Sequence, residues 1–294
     1  MLHSFRPIES MSTLITTFLK GAVKHSWSIQ KPTEILKASP SGVYTTMRIV
    51  DQHKIFKFDV HISRLKNGIQ QFSLFKEDPS FILTLESKIK ELCKCSVNEY
   101  HLKFPQQMEL KVQVLLYDST LQMCLTNIPS IPTDCQVELA SIERHNVGLK
   151  DSQWAKEREI VEKTMHPESN EALIHSNGYI YEGLSSNFFW IRNGIVHSSP
   201  KEDILVGSVM ELVLESCTKN NIQVKFEKLA LNDLKDIESA FLTSTSRLVL
   251  PVSKIIIKEA NNLSEVINLK VSPLLLQLKN LINILIDKES TSFQ

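Results

Sequence analysis

The chain has 294 residues, 42% of them hydrophobic, and Lys plus Arg equals Asp plus Glu at 33 each. That is too apolar for a disordered chain and long enough for two domains of ordinary size. The balanced charge offers no basic footprint for a nucleic-acid backbone, and no apolar run reaches the ~18 residues of a membrane span.

The first seventeen residues are rich in Ser and Thr, with Arg6 and a single acid, Glu9. They contain no secretory apolar core and lack the repeated arginines of an organelle transit peptide. The cytoplasm is therefore the expected compartment, with chloroplast and mitochondrion as alternatives. From Phe18 onward the pattern is α+β. Residues 43–50 and 55–59 read as strands around an Asp51-Gln52-His53 turn. Residues 61–75 place Ile62, Leu65, Ile69 and Phe72 at helical spacing. Asp78-Pro79 predicts the cap and first turn of a helix running to about Cys95. Residues 108–117 and 121–125 form a predicted hairpin.

Pro129 and Pro132, set among polar residues, mark 127–134 as a linker. It separates an N-terminal domain, 18–126, from a C-terminal domain, 135–294. A strand over 136–143 and a helix over about 151–165 follow. Asn177-Gly178 and Asn193-Gly194 are the strongest hairpin signals in the chain, because Asn and Gly tolerate the left-handed dihedrals of tight turns. A helix after Gly207, a strand over 224–228 and an apolar stretch over 240–257 come next. The last helix is capped by Ser272-Pro273 and places Leu276, Leu281 and Leu285 on one face. The five cysteines (Cys93, Cys95, Cys124, Cys135, Cys217) are odd in number and scattered, as expected of reduced thiols; the C-x-C pair leaves a zinc or redox reading as the alternative.

Polar residues interrupt apolar patterns at His61–Leu65, Lys150–Trp154, Tyr181–Phe189 and Leu242–Ser246, and Ile204–Val209 leads a loop into a helix. Backbone N–H groups at Gly207-Ser208-Val209 suit an anion, and Ser244 and Thr245 could add hydroxyl donors. Equally, each is an ordinary turn or cap. Glu182 lies between apolar flanks, so its carboxylate must be paired, protonated or bound to a ligand. Lys150 follows Val147 and Leu149, and burial would favour the neutral amine that attacks a carbonyl. The plain alternatives are a strand-end salt bridge and a solvated lysine. No G-x-S-x-G elbow and no G-x-G-x-x-G loop occurs, which argues against a serine hydrolase and a nicotinamide site.

Taken together, these segments resemble a known family. E-G-L-S-S-N-F-F-W-I-R-N-G-I-V begins 32 residues after Lys150. It is similar to the signature of the class IV aminotransferases, the fold type IV pyridoxal-phosphate group that includes branched-chain and D-amino acid aminotransferases and aminodeoxychorismate lyases. I-L-V-G-S-V, F-L-T-S-T-S-R-L-V-L-P-V, G-V-Y-T-T-M-R and H-I-S-R-L extend the likeness from about Gly42 to Ile255. The resemblance implies a small N-terminal α/β domain and a larger C-terminal domain, with pyridoxal 5'-phosphate between them, in a homodimer. It implies that Lys150 forms a Schiff base with the cofactor and shuttles a proton. Glu182 would bond the pyridine nitrogen. Arg64 would hold the phosphate with Ser208, Val209, Ser244 and Thr245, the Ser208 and Val209 contacts being backbone N–H groups. Leu205 would pack on the ring, with Ser186 nearby and Tyr44 on the substrate side.

Two positions depart from the family's pattern. Many members carry a tyrosine five residues after the lysine, where this chain has Ala155. Members also bind the substrate carboxylate with an arginine near the turn after the long hairpin strand, where this chain has Leu115–Asp118, and no arginine occurs between Arg64 and Arg144. The expected activity is amino-group exchange between an amino acid and a 2-oxo acid. A pyruvate-eliminating lyase of the aminodeoxychorismate type and a catalytically impaired cofactor-binding homologue are the alternatives.

Overall fold

Buried residues, polar ones such as Thr45, Arg48 and Gln113 among them, run through most of β3 (Val43–Val50), β5 (Leu110–Tyr117) and β6 (Thr120–Asn127), the pattern of strands covered on both faces. In the computed structural model, which describes residues 12–76, 78–258 and 264–294, these strands are the centre of an antiparallel sheet. Around them lie β1 (Thr13–Leu19), β2 (Ala22–Ser28), β4 (Lys54–Phe56) and a short C-terminal strand, Ser290–Ser292. Among the described residues the order is C-terminal strand, β4, β3, β5, β6, β1, β2. Helix α1 (Pro32–Ala38) adjoins β6, while α2 (Phe58–Gln71) and α3 (Phe81–Lys103) pack on the sheet and on each other. Ile62, Leu65 and Ile69 of α2 and Leu85, Ile89 and Leu92 of α3 supply the core, each fully buried side chain contributing about 1.5–3 kcal/mol of transfer free energy.

Several boundaries differ from the sequence reading. The strand expected over 55–59 stops at Phe56, because Lys57 is left-handed (φ 47°) and its N–H turns to Glu289 O. Helix α2 thus starts at Phe58, and Phe72 falls outside its last turn. Pro79 lies in a turn closed by Phe81 N–H to Asp78 O, so α3 begins at Phe81 and continues to Lys103. Cys93 is buried against Met123, burial pushing its thiol well above the ordinary range, and Cys95 Sγ donates to Leu92 O.

The second sheet belongs to a second compact unit. Its elements are β7 (Cys135–Ser141), α5 (Glu159–Thr164), β8 (Glu171–Ser176), β9 (Tyr179–Gly183), β10 (Asn187–Arg192), β11 (Ile195–Ser198), α6 (Ser208–Lys219), β12 (Val224–Phe226), β13 (Leu229–Ala230), β14 (Ser239–Ser244), β15 (Leu248–Lys258), β16 (Ser264–Asn268) and α7 (Pro273–Lys288), while α4 (Ser152–Glu157) begins in the first unit and ends in the second. Strand order among the described residues is β12, β11, β10, β14, β15, β7, β8, β9, β13, with β16 also on β15. β7 pairs in parallel with both β8 and β15, and β11 with β12; the other pairs are antiparallel. Phe188, Trp190 and Leu242 face one core, while on the opposite face the register partners Phe189 and Phe241 stack at 4.8 Å.

The two Asn-Gly pairs form the predicted hairpins, with both residues left-handed in each: φ 51° and 82° at Asn177-Gly178, 52° and 68° at Asn193-Gly194. The single helix expected over 151–165 is interrupted at Arg158, whose guanidinium donates to Leu184 O. Ser272 Oγ accepts the Leu275 N–H and caps α7, as its sequence suggests. The buried stripe of α7 is Leu275, Leu278, Ile282 and Ile286, however, not the face of Leu276, Leu281 and Leu285. Spacings of three and four residues track the axis, and Leu276 is half exposed.

The first unit takes the described residues up to Pro129 together with Lys150–Ala155 and Glu289–Gln294; the second is Ser130–Leu149 and Lys156–Lys288. Lys150–Ala155 thus packs with the first unit although it follows the 127–134 segment. Of the first seventeen residues, where the reading of an N-terminal leader falls, 1–11 lie outside the described residues and Thr13 onward forms β1. No helix among the described residues is long and apolar enough to cross a membrane.

Candidate active site

In the first unit, main-chain hydrogen bonds place Lys150. Tyr44 N–H donates to Lys150 O at 2.9 Å, and Ser152 N–H donates to Gly42 O at 2.9 Å. Ser152 Oγ accepts the Gly42 N–H at 2.9 Å, and Val43 bridges to Asp151. Lys150-Asp151-Ser152 is therefore laid along the start of β3 like a fragment of an extra strand. Only glycine fits at position 42, since a Cβ there would stand 2.0 Å from Leu116 O. Asp151 Oδ1 then accepts the Gln153 N–H and starts α4.

Lys150 Nζ lies over the Tyr44 ring, 5.1 Å from its centroid. Tyr44 is buried with Leu36, Leu115 and Ala155, so apolar packing fills the place where a tyrosine at 155 would stand. Arg64 Nη1 donates to Thr45 Oγ1 at 3.4 Å, and that hydroxyl is 2.7 Å from His61 Nδ1. Burial first, then the positive charges of Arg64 and Lys150, hold the His61 imidazole well below its ordinary range. It is a neutral ring at physiological pH.

In the second unit, side chains do the placing. Glu182, at the end of β9, is 3% exposed. Its Oε1 accepts Arg144 Nη1 at 2.9 Å, and Arg144 Nη2 donates to Leu149 O at 2.9 Å. Its Oε2 accepts the Leu205 N–H at 3.3 Å and Asn187 Nδ2 at 3.5 Å. Asn187 also donates to Leu205 O at 2.6 Å and accepts the Gly207 N–H at 3.1 Å. One carboxylate and one amide thereby fix the 205–207 segment as it enters α6.

Gly207 precedes α6 without a side-chain cap, so the first N–H groups of the helix, Ser208 and Val209 among them, have no intrahelical acceptor. Ser208 and Thr245 hydroxyls lie 3.4 Å apart beside them. Helix-end N–H groups with convergent hydroxyls favour a dianion such as a phosphate. A buried carboxylate held by an arginine suits a protonated ring nitrogen. This donor set fits a phosphorylated pyridinium.

Of the sequence candidates, the first unit holds Tyr44, Arg64 and Lys150, the last beside Tyr44 and Arg64 beside Thr45. The second holds Glu182, Ser186, Leu205, Ser208, Val209, Ser244 and Thr245. Two of these turn elsewhere: Ser186 Oγ donates to Glu171, and Ser244 Oγ accepts from Arg247. Sequence reasoning did not single out Arg144, Asn187, Ser152, Glu171 or Arg247. Asn187 stands inside the E-G-L-S-S-N motif, Arg247 inside F-L-T-S-T-S-R and Ser152 inside the Lys150–Trp154 segment; nothing local marks Arg144 or Glu171.

Residues 42–255 match the family described as Amino-transferase class IV. The chain is 23% identical over 238 residues to a D-alanine aminotransferase of Bacillus licheniformis, which covers 73% of this chain and 78% of the relative. Its fold is similar to a branched-chain aminotransferase from Thermoproteus uzoniensis with norvaline, at TM-score 0.74 and 16% identity over 96% of this chain and 100% of the other. It is also similar to an aminotransferase from Brucella abortus bound to its cofactor PLP, at TM-score 0.69 and 17% identity over 93% and 99% of the two chains.

Proposed function

We propose residue roles and a substrate range for a chain that belongs to the class IV aminotransferases, and that therefore uses pyridoxal 5'-phosphate to pass an amino group between an amino acid and a 2-oxo acid. The observation that carries the roles is the grip on Glu182, a carboxylate buried with Arg144, the Leu205 N–H and Asn187 on its two oxygens. An acid held in that way is positioned to bond a protonated ring nitrogen. When bound, pyridoxal phosphate supplies an electron sink conjugated to the substrate's nitrogen.

The protein's own groups supply the rest. Ser208 and Val209 N–H groups and the Ser208 and Thr245 hydroxyls bind phosphate, with Ser244 in the same turn and Arg64 as the guanidinium fork. Leu205, fixed at both its N–H and its carbonyl, presents its side chain to the ring, and Ser186 steadies the loop after Glu182. Lys150 Nζ anchors the cofactor and moves the proton at the substrate's α-carbon. Tyr44 orients that amine by its ring face and borders the substrate, consistent with a small or branched apolar side chain.

The relatives act, by their names, on D-alanine and on branched-chain amino acids, and the donor is assigned to one of these two groups. Purified, cofactor-loaded protein is given D-alanine or L-leucine with 2-oxoglutarate, and the 2-oxo acid formed is measured. Turnover of at least one donor, dependent on the acceptor, is expected. No turnover across both groups contradicts the substrate assignment, and pyruvate released without an acceptor assigns a lyase instead. A cytoplasmic homodimer completes the reading, and a monomer by light scattering contradicts it.

A further inference from the structure

Glu171 opens β8 with 3% of its surface exposed. A carboxylate at that depth requires partners, and it has three: Arg247 Nη2, Ser185 Oγ at 2.8 Å and Ser186 Oγ at 3.3 Å. Burial pushes its acidity down, but the Arg247 charge and hydrogen bond, with Ser185, outweigh burial and hold the carboxyl below its ordinary range. Around this acid the loop after Glu182 is wound tightly. Gly183 N–H donates to Ser186 O and Leu184 N–H to Ala172 O. A Cβ on Gly183 would stand 2.4 Å from Ser186 Oγ and 3.2 Å from Glu171 Cγ.

Arg247 reaches the other way as well. Its backbone N–H and its Nε both donate to Ser244 Oγ, at 3.2 and 3.4 Å, and Nη2 donates to Ser185 Oγ at 3.3 Å. The turn from β14 to β15 ends on Leu248 in the left-handed region, φ 54°. Without glycine that geometry costs about 1–2 kcal/mol, so the turn needs support from outside its own backbone. The Ser244 bonds and the Glu171 pair provide it. Thr245, between those anchors, is the residue whose hydroxyl meets that of Ser208.

A buried ion pair adds little net stability compared with apolar packing, and its better use is to fix one arrangement. We propose that Glu171 and Arg247 are positioning residues that cross-tie the Gly183–Ser186 loop to the Ser244–Leu248 turn, aim Thr245, and thereby set the preference for phosphorylated over unphosphorylated cofactor. The inference rests on the phosphate role given above to Ser208 and Thr245.

The test compares cofactor-stripped wild type, Glu171→Gln, Arg247→Lys and Thr245→Ala for affinity toward pyridoxal phosphate and pyridoxal, with the 31P resonance of the bound phosphate as a second readout. Arg247→Lys keeps the charge but not the fork that reaches Ser244, so it probes position even where Glu171→Gln fails to fold. Expected are a loss of about tenfold in pyridoxal phosphate affinity, as for one charged hydrogen bond, unchanged pyridoxal affinity and a moved resonance. Wild-type preference and resonance in folded Arg247→Lys, alongside a lost preference in Thr245→Ala, would overturn the inference alone. An equal loss for both ligands makes the pair merely structural and also overturns it. Undiminished preference in Thr245→Ala removes the phosphate assignment itself, and the inference with it.

Discussion

In the first unit Lys150, the residue proposed to carry the reactive amine, is placed by the main chain. Lys150 O, Gly42 N–H and O, and the Tyr44 and Ser152 N–H groups form the links, and Ser152 Oγ is the one side chain among them. In the second unit the Glu182 carboxylate, proposed to face the ring nitrogen, is placed by side chains, with Arg144 and Asn187 each bonding more than one group. Main-chain docking makes no demand on neighbouring residue types, and the glycine at 42 answers a separate contact, the approach of Leu116 O on β5. A side-chain grip makes specific demands and leaves a buried charge uncompensated when one partner is lost.

That contrast is broken most sharply at Arg144. Arg144→Met strands the Glu182 carboxylate and is expected to cost about 3–5 kcal/mol in denaturant unfolding; a loss below about 1 kcal/mol would remove the distinction between the two units. Next is Gly42→Ala, whose new methyl meets a backbone oxygen that cannot swing away. A cost of about 1–3 kcal/mol is expected, and an unchanged unfolding midpoint would show that Gly42 does not stand against Leu116 O. The smallest effect concerns His61. Its imidazole is held neutral when folded, below the ordinary value of 6.5. As pH falls through about 6.5 the unfolded chain takes up a proton that the folded chain refuses. Stability therefore declines toward acid by at most about 1.4 kcal/mol per pH unit. His61→Asn should flatten that slope, and an equal slope in the variant would mean that another group sets it.

Legibility in the sequence followed the range of the interaction. The Asn177-Gly178 and Asn193-Gly194 turns were readable because dihedral preference is local, and the α6 start after Gly207 for the same reason. The buried stripe of α7 was misplaced, each expected leucine standing one position before or after a buried residue, since several apolar side chains competed for one face and only packing on α6, β14 and β15 selects Leu275 over Leu276. Glu182 was readable as a carboxylate in need of a partner, but its partner Arg144 stands 38 positions away. Ser186 and Ser244 were located by motif, yet their hydroxyls bond Glu171, which carries no local signal, and Arg247, whose pairing the F-L-T-S-T-S-R motif does not disclose. The family likeness supplied what periodicity could not, the reason to single out Lys150 among the basic residues.

That assignment is tested most directly by covalent trapping. Cofactor-loaded protein is reduced with borohydride, digested, and the peptide bearing the pyridoxyl mass is sequenced by mass spectrometry. The expected result is one modified residue, Lys150, with no label fixed in Lys150→Ala. Label on Lys156 or any other lysine, or equal labelling of the variant, would contradict the account.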